Sequence, residues 1–368
     1  METKVNQRLF LDIHAIQTIP PANINRDDTG SPKTAQYGGV TRARVSSQSW
    51  KRAMRKHFIE NIENDGVRTL RLAEGVAKEI LKEDSSKSYD ECLELSKDML
   101  EKYTIKKNGK TVKVFEQNKE YKIKALFFVS RNQLNRLANL ALSGDYDKNK
   151  IKEILTETPA IDIALFGRMV ADDPSLNVDA SSQVAHAIST HAIESEFDFF
   201  TAVDDLAPED NAGAGMLGTI EYNSSTLYRY ANIALHDFYK QLGDKASAVN
   251  TTKLFVEAFA KSMPTGKINT FANQTIPQAV VVSLRSDRPV NMVSAFEEPI
   301  KSSDGYVKKS IEKLFEEYTR YNRILNKPIF TGYFLFDDLK VNDIGKAENS
   351  LENLLNDLEE ELNKEFED

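Results

Sequence analysis

Cysteine, tryptophan and long apolar runs are scarce in this chain of 368 residues. Its single cysteine, Cys92, cannot form an internal disulfide framework or a multi-cysteine zinc site. The longest apolar runs, at 279–284 and 330–336, are far shorter than the roughly 20 residues of a membrane-spanning helix. Residues 2–8 are mostly polar, unlike the charged-then-apolar start of a secretory signal. We therefore expect a cytoplasmic protein.

The acidic net charge of −8 is distributed unevenly along the chain. Residues 346–368 contain nine acidic residues and two lysines, so this segment carries most of the net negative charge. In contrast, no Asp or Glu lies between Asp28 and Glu60, where seven basic residues occur. Such a local concentration of basic side chains is typical of a phosphate-binding surface.

The apolar patterns predict strands separated by helices and therefore an α+β fold. Strands are predicted at 7–16, 197–206, 216–225, 226–235, 278–285 and 329–336. Helices are predicted from Ser47, where Trp50, Met54 and Phe58 recur every four residues, and at 68–83, 90–101, 118–142, 147–156, 250–263 and 306–325. Asn108-Gly109 predicts a hairpin turn within 104–115. The leucines of the acidic tail have helical spacing, which predicts an amphipathic helix.

Three short motifs suggest chemistry that their context does not support. Residues 213–218 match GxGxxG, but a strand-like segment follows them instead of the helix that a dinucleotide site requires. His186 and His191 are five residues apart, a spacing that would separate them by about 140° on a helix. The carboxylate pairs Asp27-Asp28 and Asp204-Asp205 could hold Mg²⁺, but adjacent acidic residues in loops more often form turns. We predict no cofactor, no metal site and no catalytic residue.

The basic stretch at 40–56, VTRARVSSQSWKRAMRK, is more informative. It combines arginine, lysine, hydroxyl and amide side chains on a strand-like segment that leads into a helix N-terminus, and all of these groups bind phosphate oxygens. A solvated basic helix face would give the same pattern. The candidate phosphate contacts in this stretch are Arg42, Arg44, Ser46, Gln48, Lys51, Arg52 and Arg55.

Several longer blocks closely resemble CasC, the backbone family of type I-E CRISPR Cascade complexes. They are NRDD (25–28), YGGVTRARVSSQSWKRAMRK (37–56), DIALFGRM (162–169), AHAISTHAIESEFDFFTAVDDL (185–206) and LGTIEYNSSTLYRYANI (217–233). The resemblance covers most of residues 8–300 and is loose in the helical lobe and the tail. It implies an RNA-recognition-motif-like (ferredoxin-like) palm at 1–58 and 226–345, helical fingers at 59–184, a β-hairpin thumb at 185–225 and an acidic amphipathic C-terminal helix at 346–368.

The resemblance also implies a non-catalytic function in antiviral defence. Copies of such a subunit polymerise along a CRISPR RNA, contact the other Cascade subunits (large, small, and those that bind the two guide ends) and allow the guide to pair with a target DNA strand. Residue by residue, Arg26, Ser46, Gln48, Lys51 and Arg55 match the palm positions that hold guide phosphates. Met169 matches a fingers residue that packs against a base, and Phe200, Thr201, Val203 and Asp204 match the thumb segment that wedges into the duplex.

Two alternatives remain at the level of sequence. Backbone subunits of some related effector complexes cleave RNA with an acidic loop residue, and Asp27 and Asp28 would then be the candidate metal-dependent catalytic residues. Alternatively, the tail from residue 347 would act only as a protein-interaction helix.

Overall fold

The structure is a computed structural model that describes residues 8–61, 66–157, 159–202, 216–336 and 339–366. The strands are β1 Phe10–Ala22, β2 Thr34–Tyr37, β3 Val40–Val45, β4 Gly66–Thr69, β5 Thr104–Lys107, β6 Lys110–Lys113, β7 Phe127–Ser130, β8 Ser182–Val184, β9 Ala187–Ser189, β10 Glu196–Ala202, β11 Met216–Ala234, β12 Ala279–Arg285, β13 Phe330–Leu335 and β14 Lys346–Ala347. The helices are α1 Ser47–Asn61, α2 Leu72–Glu83, α3 Tyr89–Leu100, α4 Arg131–Ser143, α5 Lys148–Thr156, α6 Ile161–Phe166, α7 Leu235–Leu242, α8 Lys245–Lys261, α9 Ile268–Phe271, α10 Val307–Tyr321 and α11 Leu351–Glu365. This mixture confirms the α+β class.

The chain forms two compact units. The first contains the described residues of 1–57, 184–234 and 252–368, and the second those of 58–183 and 235–251. The segment 226–345, predicted as one part of the palm, does not lie in a single unit, because 235–251 belong to the second unit. Leu235 and Phe238 of α7 are fully buried, and α7 packs against α6.

A large sheet organises the first unit, with the strand order β14-β13-β12-β1-β11-β9-β3-β2. Strand β1 lies at its centre and pairs antiparallel with β11 and with β12. The β13–β14 pair is parallel. Helix α10 and the segment 292–296 bury one face of the sheet through Phe296, Leu314 and Phe315. Because both neighbours of β1 come from far along the chain, the sheet brings distant segments together.

The second unit is built around an apolar core from α2, α3, α4 and α5, which includes Val76, Met99, Leu137 and Leu155. Two short antiparallel pairs, β4–β7 and β5–β6, accompany these helices. The β5–β6 hairpin turns at Asn108-Gly109 as predicted, and both residues have the positive φ that such a turn requires.

The helix predicted over 118–142 is wrong over its first part. The Asn118 side chain accepts bonds from the backbone N–H groups of Glu120 and Lys122, which forms a turn, and 127–130 form strand β7. Helix α4 starts only after Ser130, whose hydroxyl accepts from the N–H of Gln133 while the Gln133 side chain accepts from the Ser130 N–H. This capping box satisfies two backbone donors and sets the start of the helix.

Strand β11 is longer than predicted, because the segments predicted at 216–225 and 226–235 form one continuous strand. Its C-terminal part pairs with β1 as far as Asn223, opposite Ala22, and its N-terminal part pairs with β10. The β10–β11 hairpin is therefore a direct extension of a central strand.

Candidate nucleic-acid interface

The basic stretch forms strand β3 and helix α1 in the first unit. The Ser46 carbonyl accepts from the N–H groups of Ser49 and Trp50, and the Ser46 N–H donates to the Asn25 side chain at 2.8 Å. Ser46 is buried, and its position sets both the start of α1 and the approach of the loop that contains Asn25. The family resemblance implies that Ser46 contacts phosphate. The structure shows that its backbone also joins the start of α1 to the loop that contains Asn25.

Helix α1 separates apolar from basic side chains as predicted. Trp50, Met54 and Phe58 are at most 1% exposed. The polar side chains lie on the remaining surface: Gln48, Arg52 and Lys56 are exposed, whereas Lys51 and Arg55 are partly buried. The helix therefore has one buried apolar face and a second face with basic side chains.

A buried arginine that was not predicted from the sequence packs against the apolar face of α1. The Arg229 guanidinium lies 3.6 Å from the ring centroid of Trp50 and 4.3 Å from that of Phe259. It donates to the Gln17 Oε1 atom at 2.5 Å and to the Phe259 carbonyl at 2.6 Å. Burial lowers the pKa of Arg229 to about 9, which keeps it charged at neutral pH. An arginine within an otherwise uncharged β-strand run was the signal available in the sequence.

A cavity of about 590 Å³ lies beside α1. Its walls are the loop 24–30, the segment 263–266 and the α1 residues Ser49, Arg52, Ala53 and Lys56. Arg26, Arg52 and Lys56 bring three basic groups to it. The segments are in close contact, since a Cβ on Gly266 would lie 2.2 Å from the Ile24 carbonyl oxygen. Glycine is therefore required at this approach.

Asp27 and Asp28 also line this cavity. The Asp27 carboxylate accepts from the Thr29 N–H at 2.9 Å, the Thr29 hydroxyl at 2.7 Å and the Ser31 N–H at 3.0 Å. These bonds, first of all the one from the Thr29 hydroxyl, lower the pKa of Asp27. The carboxylate thus has the turn-forming role that is usual for an acidic loop residue.

The predicted phosphate contact at Arg42 is contradicted by the structure. Its side chain is fully buried, and its guanidinium donates to the carbonyl oxygens of four residues. They are Tyr37 (3.1 Å), Ser189 (3.0 Å), Phe296 (2.8 Å) and Glu297 (3.2 Å). This side chain cannot contact phosphate, because its donors are already bonded inside the protein. The neighbouring Arg44 is partly exposed and donates to the Thr34 carbonyl at 2.9 Å.

Met169 lies in the second unit, after α6. Gly167 adopts φ +76°, and Arg168 turns inward to donate to the carbonyls of Leu176 at 2.9 Å and Leu155 at 2.6 Å. The next side chain, Met169, is 82% exposed. Met169 therefore presents an apolar side chain to solvent, next to an arginine that is anchored inside the unit.

The β10–β11 hairpin carries Phe200 and Thr201, while Val203 and Asp204 lie outside the described residues. Phe200 is opposite Gly218, where an added Cβ would lie 2.3 Å from the Phe200 ring. On the other face, Phe197, Phe199 and Leu217 are 66%, 65% and 62% exposed. The described part of the hairpin therefore presents an apolar surface of the kind that packs on bases.

Of the two histidines noted in the sequence, His191 has a clear structural role. The His191 Nε2 atom accepts from the Thr226 N–H at 3.0 Å, and its ring stacks on Tyr306 at 3.7 Å between centroids. His186 lies 3.1 Å from an Arg44 nitrogen. Within the described ranges, no group of three or more His, Cys, Asp or Glu side chains is arranged to hold a metal. No helix among those residues is long and apolar enough to cross a membrane.

Comparison with known proteins finds one matching family and similar chains in solved structures. The family model described as CT1975-like protein matches residues 11–360. A solved chain from a structure titled "CRISPR RNA-guided surveillance complex, pre-nicking" is 33% identical, with a TM-score of 0.86 over 96% of this chain and 100% of that one. A second, titled "CRISPR RNA-guided surveillance complex", is 29% identical, with a TM-score of 0.76 over 96% and 99%. No curated protein matches.

Proposed function

Because the chain belongs to the CT1975-like family of Cas proteins, we propose that it is a CRISPR RNA-binding backbone subunit of a surveillance complex. In this proposal, copies of the chain polymerise along the guide in a complex of type I-E, together with the large, small and guide-end-binding subunits. The basic cavity beside α1 carries the proposal, because it combines Arg26, Arg52 and Lys56 with a helix whose opposite face is buried. The likeness to chains of two surveillance complexes supports it.

Charge provides the affinity in this proposal. Lysine and arginine bind phosphates without regard to base, so one surface can hold any guide, and base pairing by the guide supplies target recognition. Gln48, Lys51, Arg52, Arg55 and Arg26 are the proposed phosphate contacts. Arg44 is retained as a candidate contact because its side chain is partly exposed.

Apolar groups would shape the bound RNA. Met169 would pack on a base, and the hairpin residues Phe200 and Thr201, with Val203 and Asp204 beyond the described range, would wedge between bases. Unstacking one step costs a few kcal/mol, which backbone contacts on either side can offset. The family resemblance also supports an RNA-recognition-motif-like topology for the large sheet, with the second unit as the fingers.

We infer that the subunit is not an enzyme. Asp27 Oδ1 is bonded within its own loop, but both Asp27 and Asp28 line the cavity, so both carboxylates are tested. The assembled complex is incubated with complementary RNA and Mg²⁺, and intact RNA is expected. Regularly spaced cuts that disappear in Asp27→Ala or Asp28→Ala would overturn this inference in favour of a metal-dependent ribonuclease.

The phosphate surface is tested with the double variant Arg26→Gln/Arg52→Gln, which removes two exposed charges that line the cavity. Affinity for guide RNA should fall equally for unrelated spacer sequences, and the slope of log K against log salt should decrease by about 1.4, or 0.7 per lost contact. Fluorescence anisotropy over a KCl series measures both quantities.

The matched control is Lys301→Gln/Lys308→Gln, which removes two exposed charges elsewhere in the first unit. It should bind RNA as the wild type does. A loss of affinity that depends on spacer sequence, or an equal loss in the control, would contradict the assignment of the surface. Light scattering after size exclusion, with and without guide RNA, tests whether RNA drives polymerisation.

A further inference from the structure

The second unit contains a basic segment that the proposed function does not use. Between residues 102 and 124 there are eight lysines and two glutamates. The lysines are Lys102, Lys106, Lys107, Lys110, Lys113, Lys119, Lys122 and Lys124. This excess is separate from the basic stretch of α1, which belongs to the first unit.

The β5–β6 hairpin concentrates part of this charge at its turn. Lys107 pairs directly with Lys110 in the antiparallel register, on either side of Asn108-Gly109. Like charges in such a cross-strand pair destabilise a hairpin. Lys107 has a carboxylate nearby, Asp172 at 3.0 Å, and Lys113 pairs with Glu101. The hairpin therefore keeps the repulsion between Lys107 and Lys110, which neutral side chains at these positions would not have.

Two lysines of the hairpin keep their charge uncompensated. Lys106 and Lys110 are exposed, and neither ammonium forms a hydrogen bond or ion pair with any residue that the structure describes. The base of the hairpin is nevertheless anchored, because Ile105 and Val114 pack against the core of the second unit. The positive charge is thus held at a fixed place.

The composition of the turn indicates the class of partner. Residues 106–111 read KKNGKT and contain no aromatic or large apolar side chain. Protein interfaces depend on buried aromatic, apolar or arginine anchors, whereas a row of lysines suffices for phosphates. A surface that has positive charge but none of these anchors is better suited to nucleic acid than to an acidic protein surface.

We propose that the β5–β6 hairpin is a second nucleic-acid contact, at which Lys106, Lys107 and Lys110 bind a sugar-phosphate backbone without reading its sequence. This inference goes beyond the guide-binding surface of α1, although its place in a guide complex rests on the proposed function. The backbone could be that of single-stranded RNA or of duplex DNA, and the experiment distinguishes the two.

The test uses the full chain with Lys106→Gln/Lys110→Gln. The matched control is Lys78→Gln/Lys82→Gln, which removes two exposed charges from α2 of the same unit. Anisotropy is measured with a labelled single-stranded RNA and a labelled duplex DNA of unrelated sequence, over a KCl series. We expect affinity at 0.1 M salt to fall on the order of tenfold, and the salt slope to decrease by about 1.4 for RNA or about 1.8 for DNA.

Stability provides a second readout with a different sign. Removing the charge of Lys110 relieves the repulsion with Lys107, so the thermal midpoint should stay constant or rise while binding weakens. A loss confined to duplex DNA would identify duplex DNA as the ligand, and a loss confined to RNA would identify single-stranded RNA. Both support the proposal.

Unchanged affinity for both nucleic acids, or a change equal to that of the α2 control, would overturn it. So would a defect seen only in self-association by light scattering, which would mark the hairpin as a protein contact. Arg26→Gln/Arg52→Gln is measured in parallel. If that variant binds normally while the hairpin variant does not, the α1 surface fails and the hairpin inference stands.

Discussion

Two arginines ten residues apart show how differently the same side chain is used. Arg42 is fully buried and bonded to four carbonyl oxygens, whereas Arg52 is exposed beside the basic cavity. A buried cation that loses its partners leaves unsatisfied groups behind, while an exposed one leaves only solvent. The first should therefore matter for folding and the second for binding.

Arg42→Met is expected to lower the free energy of unfolding by about 3 kcal/mol or more, because four carbonyl oxygens lose their donor, those of Ser189 and Phe296 in buried bonds. Arg52→Met should change it by less than about 0.5 kcal/mol and weaken RNA binding. Urea titration and anisotropy on both variants measure the two effects. Equal stability losses would contradict the distinction.

The sequence predicted the composition of this surface and only part of its geometry. The four-residue spacing of Trp50, Met54 and Phe58 was sufficient to place the buried face of α1. The burial of Arg42 depends on carbonyls at Ser189 and Phe296, which local pattern cannot bring to the same place. The same limit concealed Arg229, since Trp50 and Phe259 come from distant segments.

At the scale of elements, the acidic tail forms helix α11 as predicted. Ser350 caps it by accepting from the Asn353 N–H, and Leu354, Leu358 and Leu362 are fully buried. Leu354 packs so closely on β13 that a Cβ on Gly332 would lie 2.5 Å from it. The leucines therefore stabilise the chain's own sheet, which leaves only the acidic face for a partner.

Leu358→Ala should lower the free energy of unfolding by about 2–5 kcal/mol, through lost apolar contact and the cavity left behind. Glu360→Gln, an exposed change on the same helix, is the control and should leave stability within about 0.5 kcal/mol. Thermal and urea unfolding measure both variants. A stable Leu358→Ala protein that fails to assemble would instead support a tail whose leucines bind a partner.

At the scale of the whole molecule, the central strand β1 carries ionisable groups into the core. Asp12 Oδ1 accepts from the Tyr230 hydroxyl at 2.6 Å, and its Oδ2 accepts from the Val290 N–H at 3.0 Å. Burial nevertheless raises the pKa of Asp12 to about 7. Two residues further on, burial lowers the pKa of His14 to about 3.

These two groups oppose each other in their effect on stability. Between about pH 4 and 7 the unfolded Asp12 has lost its proton while the folded one retains it, so its contribution to stability falls as pH rises. Between about pH 3 and 6.5 the unfolded His14 binds a proton that the folded one does not, so its contribution rises with pH. Their effects largely cancel over the shared range.

Asp12→Asn removes the contribution to stability that falls as pH rises and leaves that of His14. Relative to the wild type, the free energy of unfolding of the variant should rise by up to about 1.4 kcal/mol per pH unit between pH 4 and 7. Urea titrations at several pH values measure this difference, and Asp179→Asn, an exposed carboxylate, is the control. Parallel curves for Asp12→Asn and the wild type would show that Asp12 is ionised throughout.

The position of β1 also has a consequence for protein synthesis. Its partners β11 and β12 begin more than two hundred residues later, so β1 leaves the ribosome long before either strand exists. At about 5–20 residues per second the delay is on the order of ten to forty seconds. During that time an apolar strand with two open edges is exposed to other nascent chains. The N-terminal strand is therefore the part of the nascent chain that is most prone to aggregation until β12 has been synthesised.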